Sequence, residues 1–466
     1  MALQISPAQA KSIDRNGSGI DWSLATVLTC LLLFGFVMVF SASYPWALEN
    51  RDSPFYYVLL QLRWLGVGLA VLVGAAIVPY RFWERWSVPL MALGLLALMA
   101  VIFIGDTRFG ARRTFFDGRF QPSEPVKVIV LIYISTWLAS KGSRIKNINY
   151  GLIPFGILMG IVTGLIVAQP DISTTILIVA TALIIFFLAG AELKQLLLGG
   201  FVAVVTFWLV ITRNSYASRR VSALLESIQS PLNSPEWQIR EASTALVRGG
   251  PLGVGLGNST EKLPGSLPLS WSDTIFAIIG EEMGLLGTLL VILLFTLLAY
   301  RGLRIASESP DTFGSLLAVG ITALIILQAI IHIAVAVAVS PPTGVTLPFV
   351  SFGGSSLVTS MGAAGILLNI SRYRGQPAPS ASRRAQSGTR SDSHSAASEP
   401  QARPGGIWAA SDASGSSEPG SSSGPSGQTA HAPSYLGWWN RGARIPGSRR
   451  RRTTTNKRSD RRTGSR

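Results

Sequence analysis

Charge is scarce in this chain: only 14% of its 466 residues are Asp, Glu, Lys or Arg, where a soluble globular domain carries about 25%. Cysteine is scarcer still. The single thiol, Cys30, lies in an apolar run, so no disulfide within one chain can hold the fold. Of the three histidines, His332, His394 and His431, two fall near the C-terminal end. A histidine-based zinc site therefore lacks ligands, and acid–base chemistry outside the membrane must come from Asp or Glu. Segments of alternating polarity are missing too, which excludes a membrane β-barrel.

In their place are continuous apolar runs, at approximately 21–43, 57–78, 86–104, 125–140, 150–168, 172–190, 194–212, 274–300, 314–340 and 350–371. At about 20 residues per crossing, they predict an all-α polytopic membrane protein with about ten transmembrane helices. Residues 1–20 are polar and contain no short apolar core with a cleavage site, so no removable signal peptide is expected. Lys11, Arg15, Arg81, Arg85, Lys141, Arg144, Lys146, Lys194, Arg301 and Arg304 fall on one side of a ten-span arrangement. The positive-inside rule makes that side, and both termini, cytoplasmic. The segment 213–273 then becomes a large extracytoplasmic loop, with one helical face marked by Val221, Leu224, Leu225 and Ile228 and another by Trp237, Ala242, Ala245 and Leu246. Residues 21–375 form the membrane domain. The Ser/Gly/Pro-rich stretch 376–466 cannot bury a core and is expected to be a disordered cytoplasmic tail. Its basic cluster Arg449 to Arg452 suits inner-leaflet lipids. The net charge of +16 is partly the tail's and calls for no nucleic-acid partner.

Where a loop turns into the apolar helix near Thr274 stands Asp273, with Glu281 and Glu282 further along. Carboxylates in such a segment are costly and point to function; Asp273 also suits an N-cap, and the two readings stand side by side. Residues 105–123 carry Arg108, Arg112, Arg113 and Arg119 on the outer side, against the charge bias. Such a cluster fits an anionic ligand, most simply a phosphate, and it adjoins Glu124 and Lys127. Asp171, after Gln169-Pro170, is placed to cap the next helix through the amides of Ser173 and Thr174. The glycines between Gly249 and Gly257 let a backbone approach a ligand closely. The stretch 341–356 is too rich in Pro and Gly for a helix; its free amides, and Ser355 near its end, suit a polar ligand.

Several stretches, taken in order, resemble the SEDS family of FtsW and RodA: QPSE at 121–124 followed by Lys127, QPD at 169–171, GGPLGVGLGNSTEKLP at 249–264, SDTIFAIIGEEMG at 272–284 and PPTGVTLPFVSFGGSS at 341–356. Ser41-Ala42-Ser43 and Gly110-Ala111-Arg112-Arg113 fit as well. The resemblance covers nearly all of 20–375 and leaves out the tail. IIGEE at 278–282 is nearer the FtsW branch, while GILLNIS at 365–371 fits some RodA chains. Against the family's HTDFIFA motif, Trp271, Ser272 and Thr274 are departures, but Asp273 is retained. Leu269, Thr114, Pro125 and His332 also depart from the family pattern.

The resemblance implies a peptidoglycan glycosyltransferase in the bacterial cytoplasmic membrane that polymerises lipid II with a class B penicillin-binding protein, among other divisome or elongasome proteins. Asp273 takes the role of general base. Arg112, Arg113 and Lys127 are expected at the pyrophosphate, with Glu124 orienting Lys127 or holding a divalent cation, Mg or Mn. Asp171 and Ser355 complete the expected substrate contacts. Two other classes fit a ten-span chain: a transporter of the lipid-linked precursor, and a division or elongation scaffold acting through the tail.

Overall fold

Helix replaces apolar run almost everywhere. A computed structural model describes residues 19–51, 53–108, 111–115, 118, 120–213, 226–267 and 269–374, all within one unit of the chain, Met1–Ala397. The tail and its expected disorder, Arg119, and the face Val221, Leu224 and Leu225 lie outside the described residues. In chain order the helices are α1 (Trp22–Arg51), α2 (Tyr56–Ile77), α3 (Tyr80–Ile104), α4 (Ser123–Lys141), α5 (Leu152–Val167), α6 (Ile172–Leu188), α7 (Leu193–Arg213), α8 (Trp237–Gly249), α9 (Ile275–Ser307), α10 (Thr312–Ala336) and α11 (Gly354–Ser371). Six of them, α1 to α4, α9 and α10, are long and apolar enough to cross a membrane by length and composition; α5, α6 and the first part of α7 are apolar but shorter. The chain is an all-α membrane protein with one small exception. Between α3 and α4, β1 (Asp106–Arg108) and β2 (Ala111–Thr114) pair as an antiparallel hairpin, where the sequence reading had only an arginine-bearing loop.

The core sits around α4, α10 and α11. Small residues bring α11 against α2: Gly365 meets the α2 backbone at Leu72, and Gly68 meets the sulfur of Met361. Lipid gives helices no hydrophobic drive to associate, so such close approach supplies the packing. Asn369 then stitches the α2–α3 turn, accepting from the Tyr80 amide at 2.8 Å and donating to the Ala76 carbonyl at 2.7 Å. Nearby, the Asp21 carboxylate caps α1 at the Leu24 amide (2.9 Å) and is hydrogen-bonded by Arg374. Between α1 and α9 runs an apolar groove of about 490 Å³, lined by Cys30, Phe34, Met38, Met283, Leu290 and Leu294 among others.

A bend interrupts α9. Gly284 has φ 64° and ψ −155°, a conformation that glycine adopts without a Cβ penalty. The backbone groups released there are met by the glycine-rich run. Val254 N donates to Glu281 O at 2.9 Å, Gly255 N to Glu282 O at 3.0 Å, and Leu285 N to Gly250 O at 2.9 Å. A Cβ on Gly249 or Gly253 would collide with the carbonyls of Gly280 or Glu282. These glycines therefore let one backbone approach another, not a ligand. Helix α8 buries Ile239, Ala242 and Ala245 on one face and packs on α9, so it rests on the bundle.

Gly249→Ala is expected to lower the thermal stability of the solubilised protein by about 1–3 kcal/mol through overpacking. Gly156→Ala, where a Cβ meets nothing within 4 Å, serves as the control and leaves the melting curve in place. Equal curves for the two variants would show that the α8–α9 contact is loose.

Candidate functional site

Four segments meet at one end of the bundle: β2 with the start of α4, the turn before α6, the loop 269–274, and a strap, 340–353, between α10 and α11. Asp171 joins the first two. Its Oδ1 accepts from the Thr174 amide at 3.1 Å, capping α6 as expected, while Oδ2 accepts from Gln121 Nε2 at 3.0 Å and Ser123 Oγ at 3.3 Å. One turn into α4, Lys127 is only 3% exposed. Its ammonium lies 2.9 Å from Glu124 Oε1 and 3.3 Å from Gln328 Oε1. Burying that charge is tolerable because it is paired.

The strap has little regular hydrogen bonding and is pinned by side chains instead. Ser173 Oγ donates to Thr343 O at 3.2 Å, His332 Nδ1 to Val345 O at 2.7 Å, and Gln328 Nε2 to Thr346 O at 3.0 Å. Its other edge is bonded to the loop carrying Asp273: Ser351 Oγ donates to Ser272 O at 2.8 Å, and Phe352 N to Trp271 O at 2.9 Å. Trp271 is buried, with ring centroids 4.6 Å from Tyr57 and 5.7 Å from Trp46. Leu269 and Phe349 hold φ values of 50° and 65°, left-handed for bulky residues and costing about 1–3 kcal/mol each. The aromatic box and the strap bonds surround this strained backbone.

Asp273 does not cap α9. Thr274 occupies the N-cap position and no side chain bonds the first amides. The Asp273 carboxylate is half-buried, accepts from Ser272 Oγ at 2.9 Å, and lies against Gly344 of the strap. Burial pushes its pKa above the ordinary carboxylate value, while the Ser272 hydroxyl and the positive charge of Arg113 pull it back.

Arg113, Glu124, Lys127 and Asp171 thus line one narrow cleft with Gln121, Thr174, Leu177 and Thr343 to Val345; Asp273 is not one of the lining residues but lies against Gly344, which is. Arg112, the residue before Arg113 on β2, is exposed and does not line the cleft. Ser355 does not line the cleft; its neighbour Ser356 is the one bonded, accepting from Thr346 Oγ1 at 2.8 Å. Sequence reasoning missed Gln121, Gln328 and His332 as pins. Polar residues in or beside apolar runs were the available signal. Among the described residues no three His, Cys, Asp or Glu side chains cluster to hold a metal. Glu124 and Asp171, the carboxylates lining the cleft, are both hydrogen-bonded within the protein.

Glu281 and Glu282 belong to a separate cluster. Glu281 holds the loop at Thr260, accepting from its amide at 3.0 Å and its hydroxyl at 3.1 Å. Glu282 forms a buried pair with Lys262 at 2.7 Å and accepts from Ser41 Oγ. Glu261 is buried beside Glu241, Glu281 and Arg248. Burial, then hydrogen bonding to Glu241 and the charges of Glu241 and Glu281, raise its pKa to about 7 against the pull of Arg248.

The family model described as cell cycle protein, FtsW/RodA/SpoVE, matches residues 21–376. Stage V sporulation protein E of Bacillus subtilis is 37% identical over 360 residues, covering 76% of this chain and 97% of that protein. A probable peptidoglycan glycosyltransferase FtsW of Trichlorobacter lovleyi is 36% identical over 355 residues, covering 75% and 93%. Among solved structures, a chain from a study of how a peptidoglycan synthase complex coordinates polymerization and crosslinking aligns with a TM-score of 0.64 at 25% identity, covering 77% of this chain and 99% of that one. The rod shape determining protein RodA of Thermus thermophilus aligns with a TM-score of 0.57 at 24% identity, covering 77% and 98%, and speaks for the fold alone.

Lys262→Met is expected to cost about 3–5 kcal/mol, because it strands the Glu282 charge in the interior. The double variant with Glu282→Gln recovers most of that loss in thermal unfolding, and no recovery would mean that the pair is not the cause. Glu261 keeps a proton in the folded chain that the unfolded chain releases, so its contribution to stability is lost as pH rises through about 7. Melting temperature is expected to fall across that range in the wild type and to fall less steeply in Glu261→Gln.

Proposed function

The chain belongs to the FtsW/RodA/SpoVE family, and on that premise we propose that it is a peptidoglycan glycosyltransferase that polymerises lipid II with Asp273 as general base. The observation that carries the proposal is the placing of Asp273: a half-buried carboxylate under the positive charge of Arg113, against Gly344 of the strap, which lines a cleft of charged and polar side chains. In the reaction the acceptor hydroxyl attacks the anomeric carbon of the donor, and the bond from that carbon to the pyrophosphate oxygen breaks. The hydroxyl proton passes to Asp273, and the polyprenyl pyrophosphate leaves with the bond's electron pair. One-step attack on an α-linked donor inverts the anomeric centre. A raised carboxyl pKa matches this task, since a base works best near the operating pH.

Arg113 supplies positive charge for the leaving group, and Arg112 extends it along the hairpin. Lys127, committed to Glu124 and Gln328, braces the cleft floor rather than reaching out. Any divalent cation enters, in this reading, with the diphosphate. All ten apolar runs cross the membrane, with α5, α6, α7 and α11 joining the six longer helices, and 213–273 lies outside. Both termini are cytoplasmic, and 376–466 is a tail meeting inner-leaflet lipids. A class B penicillin-binding protein is the partner, alongside other wall-synthesis membrane proteins. The names of the curated relatives favour the FtsW/SpoVE branch.

The test is polymerisation of lipid II by the purified chain with its partner. Asp273→Ala and Asp273→Asn are expected to lose about 10²–10⁴-fold in rate. The wild-type rate rises with pH through an acid limb set above the ordinary carboxylate value, and Arg113→Gln moves that limb higher by removing a charge that favours the carboxylate. Full polymerisation by a correctly inserted Asp273→Ala protein removes Asp273 from the mechanism.

A further inference from the structure

The strap is unusual in how its peptide groups are used. The carbonyls of Thr343, Val345 and Thr346 are each taken by a side chain of α6 or α10. Among the described residues, the amides of Gly344 and Val345, both in the cleft wall, have no hydrogen-bond partner in the protein. A peptide unit is planar, so the Gly344 N–H points opposite to the Thr343 carbonyl and away from Ser173. Gly344 itself has φ 66°, and successive N–H groups around a left-handed residue form an anion-binding concavity. Ser173 thus turns the Thr343 carbonyl into the protein and leaves the opposed Gly344 N–H unpaired, in a wall that Arg113 also lines.

We propose that the Gly344 and Val345 amides, with Arg113, form a cradle for the diphosphate of the lipid-linked donor, an inference that rests on the glycosyltransferase reading above. In this arrangement the backbone holds the leaving group while Asp273, on the other side of Gly344, faces the acceptor. Ser173 is a positioning residue, acting through the Thr343 carbonyl whose peptide carries the Gly344 N–H, while His332 and Gln328 anchor the strap just after it. A Cβ at Gly344 would stand 3.6 Å from Asp273 Oδ2, in ordinary contact, so it is the positive φ that favours glycine there.

The test is calorimetric titration of the full-length chain in nanodiscs with inorganic pyrophosphate, and with orthophosphate in a second arm. Wild type is expected to bind pyrophosphate saturably and more tightly than orthophosphate. Replacing the Gly344 amide by an ester, through glycolic acid incorporated at that position, is expected to weaken binding about tenfold or more, as is Val345→Pro. The ester keeps the shape of the strap, so it decides the matter if Val345→Pro lowers thermal stability. Asp273→Asn is expected to keep pyrophosphate affinity while losing polymerisation. The cradle is overturned if wild type shows no saturable binding, if orthophosphate binds as tightly, or if the ester variant binds as wild type does. In that last case a loss of polymerisation in Asp273→Asn leaves the glycosyltransferase reading standing. Polymerisation by Asp273→Ala sinks that reading whatever the titrations give.

Discussion

A backbone that leaves its helix in a packed interior has to find new partners, because each buried amide or carbonyl left unpaired costs about 1–3 kcal/mol. The break at Gly284 poses this problem in α9, and the run 250–255 solves it by donating to and accepting from the broken ends. That docking fixes where the following loop begins. Glu281 then grips the loop at Thr260, and Lys262 plugs into Glu282 and Ser41. By the time the chain reaches Trp271 its path is set, and Asp273 is carried to Gly344 in the cleft wall by a segment with no regular structure of its own.

The opposite wall follows the same logic with different parts. The strap borrows hydrogen-bonding groups from α6, α10 and α11, and it shares an aromatic box with the loop through Phe352, Tyr57 and Trp271. Two irregular segments, each unable to hold itself, hold one another. Regular helices supply the pins, and the irregular backbone supplies the chemistry. The same economy governs Lys127, whose ammonium pairs with Glu124 while tying α4 to α10 through Gln328.

Much of this was legible in the sequence. Apolar runs gave the helices because a membrane span must be long and continuous, and Asp171 was readable as a cap because Pro170 stops one helix just before the next. The hairpin 106–114 was not, since three- and four-residue strands leave no periodicity to detect. Nor was the bend at Gly284: a lone glycine within an apolar run reads as tolerated helix until the segment that docks on it is known. Asp273 looked equally like a cap, and only the absence of any bond to the α9 amides separates the two. Choosing Ser356 over Ser355 required the phase of α11, which depends on where the strap releases the chain. Glu261 stood unmarked because its perturbation comes from burial in the folded chain and from Glu241 and Glu281, twenty residues away on either side.

Cys30 offers a practical consequence. It is exposed, it lies in the groove between α1 and α9, and the chain has no other cysteine. The protein therefore arrives with a single native attachment point for a spin label or fluorophore, about one turn from Phe34 and facing the part of α9 beyond the bend. Distances measured from it report how that helix moves relative to α1 without first stripping the molecule of competing thiols.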